Sequence, residues 1–562
     1  MGRRLLTPAW TVDYRRDWLR GDVLAGVTIT AYLIPQVMAY AAVAGLPAVV
    51  GLWASIGALI AYALLGSSRQ LSVGPESTTA LMTAGAIGGL ATTGSQEYAN
   101  FAVVLCLLVA GLCLLGWLGR LAFLAELLSR PVLVGYMSGV AVIMMVGQLG
   151  KLTGIDVAGD GLWSELAFVA LHLPAAHAGT VALGLITLAV MLLGSLLAPR
   201  APMALIGMVG AAAVVALLDL REHGISVIGA IPAGLPVPAL PHLSLDGMLS
   251  LVPGALGVAF VGYTDNILTG RAFANRRDER IDAKRELLAL GAANLASGLM
   301  HGFPVSSSGS RTAIGHAVGG RTQLTSLVAV AATVLAVFTL RPLLAAFPTA
   351  ALGAVVVYAA LRLIDVGEFR RLAGFRRTEF AIAIATTIAV LGVGVLPGVL
   401  VAIVLSVLDL LRRVARPHDA IEGFVPDLAG MHDVDDYPDA TLVPGLVVYR
   451  YDSPLFFANT ENFRTRALAA VGGAAGPVQW FLLNAEAIVE IDITAVYALV
   501  QVHRELSDRG IVFAIARMKQ DLRSDLARTD LLQRIGEDHI FPTPAHSSGG
   551  VPTVAGQATM NR

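Results

Sequence analysis

Gly74-Pro75-Glu76-Ser77-Thr78-Thr79 heads one apolar stretch of this chain, and Phe303-Pro304-Val305-Ser306-Ser307-Ser308-Gly309-Ser310 heads another. How these two segments are read decides the fold. Each stretch is short for a membrane span, rich in Gly, Ser and Thr, and opened by a proline. A single helix with proline in its first turn is ordinary. Two interrupted segments at matching positions of two halves mark instead the central binding site of a transporter built from repeats.

The halves emerge when a 20-residue window is moved along the chain. Apolar segments fall near 24–45, 49–65, 76–92, 99–118, 132–150, 179–198 and 202–219. Seven more follow near 250–270, 285–300, 306–318, 323–340, 343–363, 379–394 and 397–413. The interrupted segments are therefore the third and the tenth of fourteen. An odd-numbered repeat reverses its orientation, so seven spans and seven more predict two halves related by a two-fold axis in the membrane plane. The basic residues agree with an even count. Arg271, Arg276, Arg277, Arg280, Lys284 and Arg285 follow span eight, and Arg362, Arg370, Arg371, Arg376 and Arg377 follow span twelve. Arg412, Arg413 and Arg416 follow span fourteen, whereas the stretch from Leu152 to Thr180 has Asp156, Asp160 and Glu165 but no Lys or Arg. The positive-inside rule then puts both termini in the cytoplasm. Arg3, Arg4, Arg15, Arg16 and Arg20 precede the first span as a cytoplasmic flank, with no cleavage site to make them a secretory signal.

Composition fits that reading. Of 562 residues, 56% are hydrophobic and 14% charged, with mean hydropathy +0.71, against about 25% charged in soluble chains. Val23 to Ser68 contains no Asp, Glu, Lys or Arg, which is room for two spans of roughly 20 residues. A formal net charge of −1 excludes a basic chain built to bind nucleic acid. Cys106 and Cys113, the two cysteines, lie in an apolar run and read as core thiols, with no pairing for a metal knuckle.

Five regions follow: 1–20, a cytoplasmic segment; 21–416, a membrane domain with repeats at about 21–220 and 248–416; 417–442, an acidic linker with Asp433, Asp435, Asp436 and Asp439; 443–541, a soluble module; and 542–562, a disordered tail. In the soluble module, strands at Gly445 to Tyr451, Val478 to Asn484 and Ile511 to Ala516 alternate with helices from about Asp492 to Gly510 and from about Gln520 to Ile535. Val496, Leu499, Val502 and Leu506 share one face of the first helix. Alternation of this kind predicts an open α/β sheet covered by helices.

Several further motifs carry a resemblance. Pro35-Gln36-Val37-Met38-Ala39-Tyr40-Ala41, Gly45-Leu46-Pro47, Gly51-Leu52, the run Gly66 to Pro75, Ser129-Arg130-Pro131-Val132 and Ser310-Arg311-Thr312 look like the sulfate permease (solute carrier 26) family, and most like actinobacterial sulfate transporters. Ile491-Asp492-Ile493-Thr494-Ala495 resembles the helix start of a STAS domain. The resemblance spans about residues 15–541. It implies a plasma-membrane homodimer whose protomers split into a core (spans 1–4 and 8–11) and a gate (5–7 and 12–14). It also implies anion binding between the third and tenth helices, with Gln36 and Tyr40 of the first closing the pocket.

The physical reading of the site is independent of that. A bare charge at the bilayer centre costs at least about 3 kcal/mol. Two facing helix N-termini offer unpaired N–H groups and about half a positive charge each. The anion is therefore expected between Glu76, Ser77 and Thr78 on one side and Ser308, Gly309 and Ser310 on the other, with Arg311 adding a full charge. Two simpler roles compete: an Arg311–Glu76 ion pair, and N-capping by the serines. Glu76 itself repels an anion unless protonated or paired, which leaves it as a helix-start residue or a proton carrier. Asp265, in the otherwise charge-free span eight, is the candidate for coupling, against an interfacial carboxylate near Arg271; the family resemblance also implies an acidic coupling residue here. It would carry a proton, or with Thr269 and carbonyls near Ser307 to Gly309 form an oxygen cage for sodium. His316 reads as a structural histidine. Asp492 or Thr494 is expected to cap its helix, and related domains imply Thr494 as a phosphorylation site.

The expected protein is a secondary active importer of an inorganic anion, sulfate first, driven by proton symport through an elevator-like motion. Bicarbonate or a dicarboxylate with sodium or protons, a passive anion channel, and a membrane-anchored sensor are the alternatives. No cofactor is expected: there is no phosphate loop, metal-ligand cluster or Ser-His-Asp arrangement, so an enzyme is the least expected class.

Overall fold

The computed structural model describes residues 8, 10–11, 14–126, 129–157, 162–199, 201–232, 234–238, 241, 245–274, 280–426 and 428–542. Arg3, Arg4, Asp160, Arg276, Arg277 and the predicted tail beyond Pro542 lie outside these residues. The described chain divides into two compact units, Met1–Ser406 and Val407–Arg562.

In the first unit, thirteen of the fourteen apolar segments become helices, and the fourteenth crosses its boundary. The helices of the first repeat are α1 (Leu19–Val43), α2 (Ala48–Leu65), α3 (Ser77–Ile87), α4 (Gln96–Leu118), α5 (Arg130–Val146), α6 (Leu149–Thr153), α7 (Leu162–His172), α8 (Ala178–Leu197) and α9 (Met203–Leu217). Those of the second are α10 (Leu245–Ala274), α11 (Ala283–Leu299), α12 (Gly309–Val318), α13 (Leu324–Thr339), α14 (Arg341–Ala345), α15 (Thr349–Leu361), α16 (Val366–Phe375), α17 (Arg377–Val393) and α18 (Val395–Ala415). Among the described residues seven helices are long and apolar enough to cross a membrane, and others are shorter. The stretch from Leu152 to Thr180, read as an external loop, contains α7, a helix with one buried residue, Val169.

Packing sorts these helices into two groups. α11 lies against α4 and α2, and α1 against α2, α12 and α13; in the other group α17 lies against α5, and α15 against α8, α6 and α5. Apolar lipid offers no hydrophobic drive between helices, so close approach of backbones does the work. Gly51 is the clearest case: a Cβ there would stand 2.0 Å from the Val37 carbonyl oxygen of α1. Gly135 of α5 does the same against Ala383 of α17, at 2.1 Å.

The interrupted segments meet. Val73–Gly74 (β1) and Ser306–Ser307 (β2) form a two-stranded antiparallel ladder, Val73 opposite Ser307 and Gly74 opposite Ser306. The Ser308 N–H donates to the Ser72 carbonyl at 2.8 Å, and the Ser72 N–H to Thr312 Oγ1 at 3.0 Å. Each strand leads directly into a short helix, α3 or α12, so the ladder sets both helix starts side by side.

The second unit holds a six-stranded sheet, built from β3 (Asp419–Phe424), β4 (Met431–Asp433), β5 (Leu446–Tyr451), β6 (Trp480–Asn484), β7 (Val512–Ala516) and β8 (Ile540–Phe541) in the order β4-β3-β5-β6-β7-β8. β5 to β8 run parallel. Helices α19 (Thr460–Gly472), α20 (Ile493–Asp508), α21 (Gln520–Leu526) and α22 (Leu531–Ile535) accompany them. Val496, Leu499, Val502 and Leu506 of α20 are buried with Phe481 and Phe513, as their spacing predicts. Two differences from the sequence reading stand out. The stretch read as a linker carries β3 and β4, whose Glu422 is buried and accepts from Asn484 Nδ2 at 2.8 Å. The single helix expected from Gln520 to Ile535 is two, broken at 527–530.

Candidate functional site

The site is built on the two helix starts that the ladder joins. Glu76 is the N-cap of α3: its carboxylate accepts the Thr78 N–H at 3.1 Å and the Ser77 hydroxyl. Thr78 Oγ1 faces Met137 Sδ of α5 at 3.7 Å. Ser308 is the N-cap of α12, its hydroxyl 3.5 Å from the Arg311 N–H and 3.3 Å from Ser310 Oγ. Ser77, Thr78 and Ser308 are buried, whereas Gly309 and Ser310 are exposed.

Arg311 lies one turn into α12 with no exposed surface. Its Nη1 donates to Gln36 Oε1 at 3.2 Å and to the Pro75 carbonyl at 3.0 Å, and its Nε to Ser72 Oγ at 3.4 Å. These partners are neutral oxygens of α1 and of the turn before α3, and they stand where the competing reading put an ion pair with Glu76. Arg311 Nη2 is buried and has no partner. Buried donors are almost always paired, and an orphan of this kind calls for an explanation. Gln36 and Tyr40 close the group from α1, just after Pro35 within that helix. Gln36 Nε2 donates to the Tyr40 hydroxyl at 3.0 Å and lies 3.4 Å from Ser310 Oγ. One glutamine thus ties the arginine, the tyrosine and the α12 start together.

Asp265 comes to the same place from α10. Its Oδ2 accepts the Ser307 hydroxyl at 2.7 Å, and Ser307 is the β2 residue immediately before the N-cap. Thr269 follows one turn later, its methyl carbon 3.9 Å from where a Cβ on Gly309 would stand. Asp265 thus lies against the ladder. Every membrane-domain residue singled out from sequence, Gln36, Tyr40, Glu76, Ser77, Thr78, Asp265, Thr269, Ser308, Gly309, Ser310 and Arg311, belongs to this one cluster or its rim. His316 stands apart, its Nδ1 2.9 Å from Gln70 Oε1.

Three further polar residues escaped the sequence. Asn266, beside Asp265, turns to the other face of α10 and donates to Glu286 at 2.6 Å. Glu286 is fully buried and also accepts from the Tyr62 hydroxyl, Ser67 N and Oγ, and Ser68 N. Asp22 is held likewise by the Arg321 and Thr322 N–H groups and the Thr322 hydroxyl. Sequence could flag these carboxylates only as acids inside apolar helices, the signal that singled out Asp265. In the second unit, Asp492 caps α20 through Ala495 N–H at 2.8 Å and also accepts from Phe457 N–H at 2.8 Å, leaving Thr494 exposed.

Several known proteins are similar to this chain. A probable sulfate transporter from Mycobacterium tuberculosis is 57% identical over 94% of this chain and 95% of its own length. Human solute carrier family 26 member 6 is 32% identical over 80% of this chain and 62% of its own. The murine solute carrier 26 family member A9 anion transporter, solved in an inward-facing state, superposes with a TM-score of 0.87 at 21% identity, covering 96% of this chain and 93% of that one. The transmembrane domain of a cyanobacterial bicarbonate transporter covers 70% of this chain and 98% of its own, with a TM-score of 0.62 at 22% identity. The family model described as the sulfate permease family matches residues 19–386, and that of the STAS domain matches residues 437–546. A chain with this pair of domains, and with such a relative along nearly its whole length, belongs to the sulfate permease family.

Proposed function

We propose that this protein is a secondary active importer of sulfate, coupled to protons through Asp265. The observation that carries the reading is Arg311 Nη2, a buried guanidinium donor without a partner beside two helix N-termini locked together by the β1–β2 ladder. An oxyanion there would accept from that donor, from the free N–H groups of both helix starts and from Ser310. Charge explains the coupling. Arg311 and the two half-charges of the helix ends are offset by Glu76 and Asp265 when both acids are ionised. A proton on Asp265 makes the cradle more positive by one unit, so a dianion loads better together with a proton, and loss of the proton on the other side helps release it. Ser307 transmits the change, because its hydroxyl donates to the ionised Asp265 and sits next to the N-cap.

In this reading both termini are cytoplasmic, the protein works as a homodimer in the plasma membrane, and the α1–α4/α10–α13 group moves against the other group as an elevator. Thr494 is a candidate regulatory phosphorylation site on the STAS domain. The name of the mycobacterial relative favours sulfate over bicarbonate. A sodium-coupled version rests on the oxygens of Asp265, Thr269 and Ser307 lying close together.

The test is uptake of radiolabelled sulfate into proteoliposomes under an inward proton gradient without sodium, for the wild type and Asp265→Asn. Accumulation by the wild type and its loss in the variant are expected. Accumulation only after sodium is restored would move the coupling to sodium, no response to sulfate under either gradient would discard the substrate, and an unaffected variant would remove Asp265 from the mechanism.

A further inference from the structure

A cavity of about 1250 Å³ opens at the end of α3 remote from the cradle. Its walls come from the ends of α1, α5 and α6, the start of α8 and the turn between α17 and α18. Neither Glu76 nor Ser310 borders it. The residues of α3 and of the turn at its end that do, Leu81, Ala84, Gly85, Gly88 and Gly89, recur at helical spacing. Continued one turn back, about 5.4 Å, that spacing reaches Ser77. Leu81 therefore stands between the cavity and the cradle, at the cavity's inner end.

Lys151 is the one Lys or Arg among the described residues lining this cavity. Its Nζ donates to the Ala42 carbonyl and to Gln148 Oε1, both at 3.3 Å. An ammonium has three N–H groups, and both of these contacts are long and to neutral oxygens. Asp156, Glu165 and His177 also border the cavity, so no broad positive field draws anions in from afar. Attraction is confined to contact with Lys151. The space exceeds what one hydrated oxyanion needs, and the predicted topology puts it on the external side.

We propose that this cavity is an outer capture site for a small inorganic oxyanion, with Lys151 as the residue that first holds it and Leu81 as the barrier between capture site and cradle. The assignment rests on the transport reading above and adds a second, separate binding step to it. A purely structural Lys151 would serve only to tie the Ala42 carbonyl at the end of α1.

The experiment compares wild type, Lys151→Met and Lys151→Arg in oriented proteoliposomes, with sulfate half-saturation measured separately for influx and efflux. Capture predicts that Lys151→Met raises the influx value about tenfold, leaves the efflux value within twofold, and that Lys151→Arg restores influx. An unchanged influx value, or equal changes in both directions with a lowered melting temperature, overturns it. A second measurement needs neither transport nor that variant's uptake. Gly85→Cys meets no atom within 4 Å, and both native cysteines are buried. An impermeant anionic thiol reagent added outside is expected to label it several-fold faster than its cationic counterpart, with the preference lost when Lys151→Met is added. Labelling only after permeabilisation, or with no charge preference, sinks the capture site. A wild type that ignores sulfate but shows the charge preference sinks the sulfate assignment alone.

Discussion

At the scale of single residues, Arg311 invites the sharpest substitution. Arg311→Lys keeps the charge but has no planar fork to hold Gln36, the Pro75 carbonyl and an oxyanion together. Sulfate half-saturation is expected to rise about tenfold or more in the uptake assay, with the melting temperature falling as well. Glu286 makes the opposite kind of prediction. Its carboxylate takes five donors, and an amide in Glu286→Gln would point N–H groups at N–H groups, costing about 3 kcal/mol or more; thermal unfolding checks this. In the STAS unit the Asp433 hydrogen bond raises the pKa of His418 above the usual histidine value. The bond therefore contributes its full stability below about pH 6.5 and loses it as the pH climbs through the raised native value. His418 is exposed, so less than about 1 kcal/mol is involved. Asp433→Asn is expected to return the His418 titration, followed by NMR, toward the unperturbed position. Arg311 and Asp265 were legible in the sequence because ionisable side chains inside apolar helices stand out. What they bind was not: the partners Gln36, Pro75 and Ser307 are fixed by folding, and no spacing rule connects position 36 with 311.

Between elements, small residues set the distances. In Gly51→Ala a new methyl would sit 2.0 Å from a backbone oxygen of α1, and α1 cannot yield without moving Gln36 and Tyr40. Loss of transport together with about 3 kcal/mol or more of stability is expected. Gly111→Ala in α4, with nothing within 4 Å, is the control: its melting temperature is expected to stay level or rise, since alanine is the better helix former. The fourteen apolar segments were readable because hydrocarbon solvent permits little besides helix. The missed elements include α7, α16, α19, β3, β4 and β8, none of which is a long apolar run. β3 is a case in point: Glu422 breaks its apolar pattern, and Asn484 of β6 together with Arg450 of β5, 3.8 Å away, explains why an acid can be buried there.

For the molecule as a whole, repeat symmetry was the most informative feature of the sequence, because matched proline-led segments imply that two distant stretches converge. The ladder that joins them has two residues on each side, far below the length at which strand patterning is recognisable. It also sets the order of assembly. Gly74 and Ser306 pair across 232 positions of chain, so at roughly 5 to 20 residues per second of synthesis the first helix start waits roughly ten to fifty seconds for its mate. During that interval α3, eleven residues long, is too short to cross the bilayer by itself. A nascent chain arrested near residue 300 is accordingly expected to leave Gly85→Cys open to thiol reagents from both sides, and one released beyond residue 340 to protect it from the cytoplasmic side. The proposed binding cradle is thus a late product of biogenesis, finished only when the second half arrives to close the first.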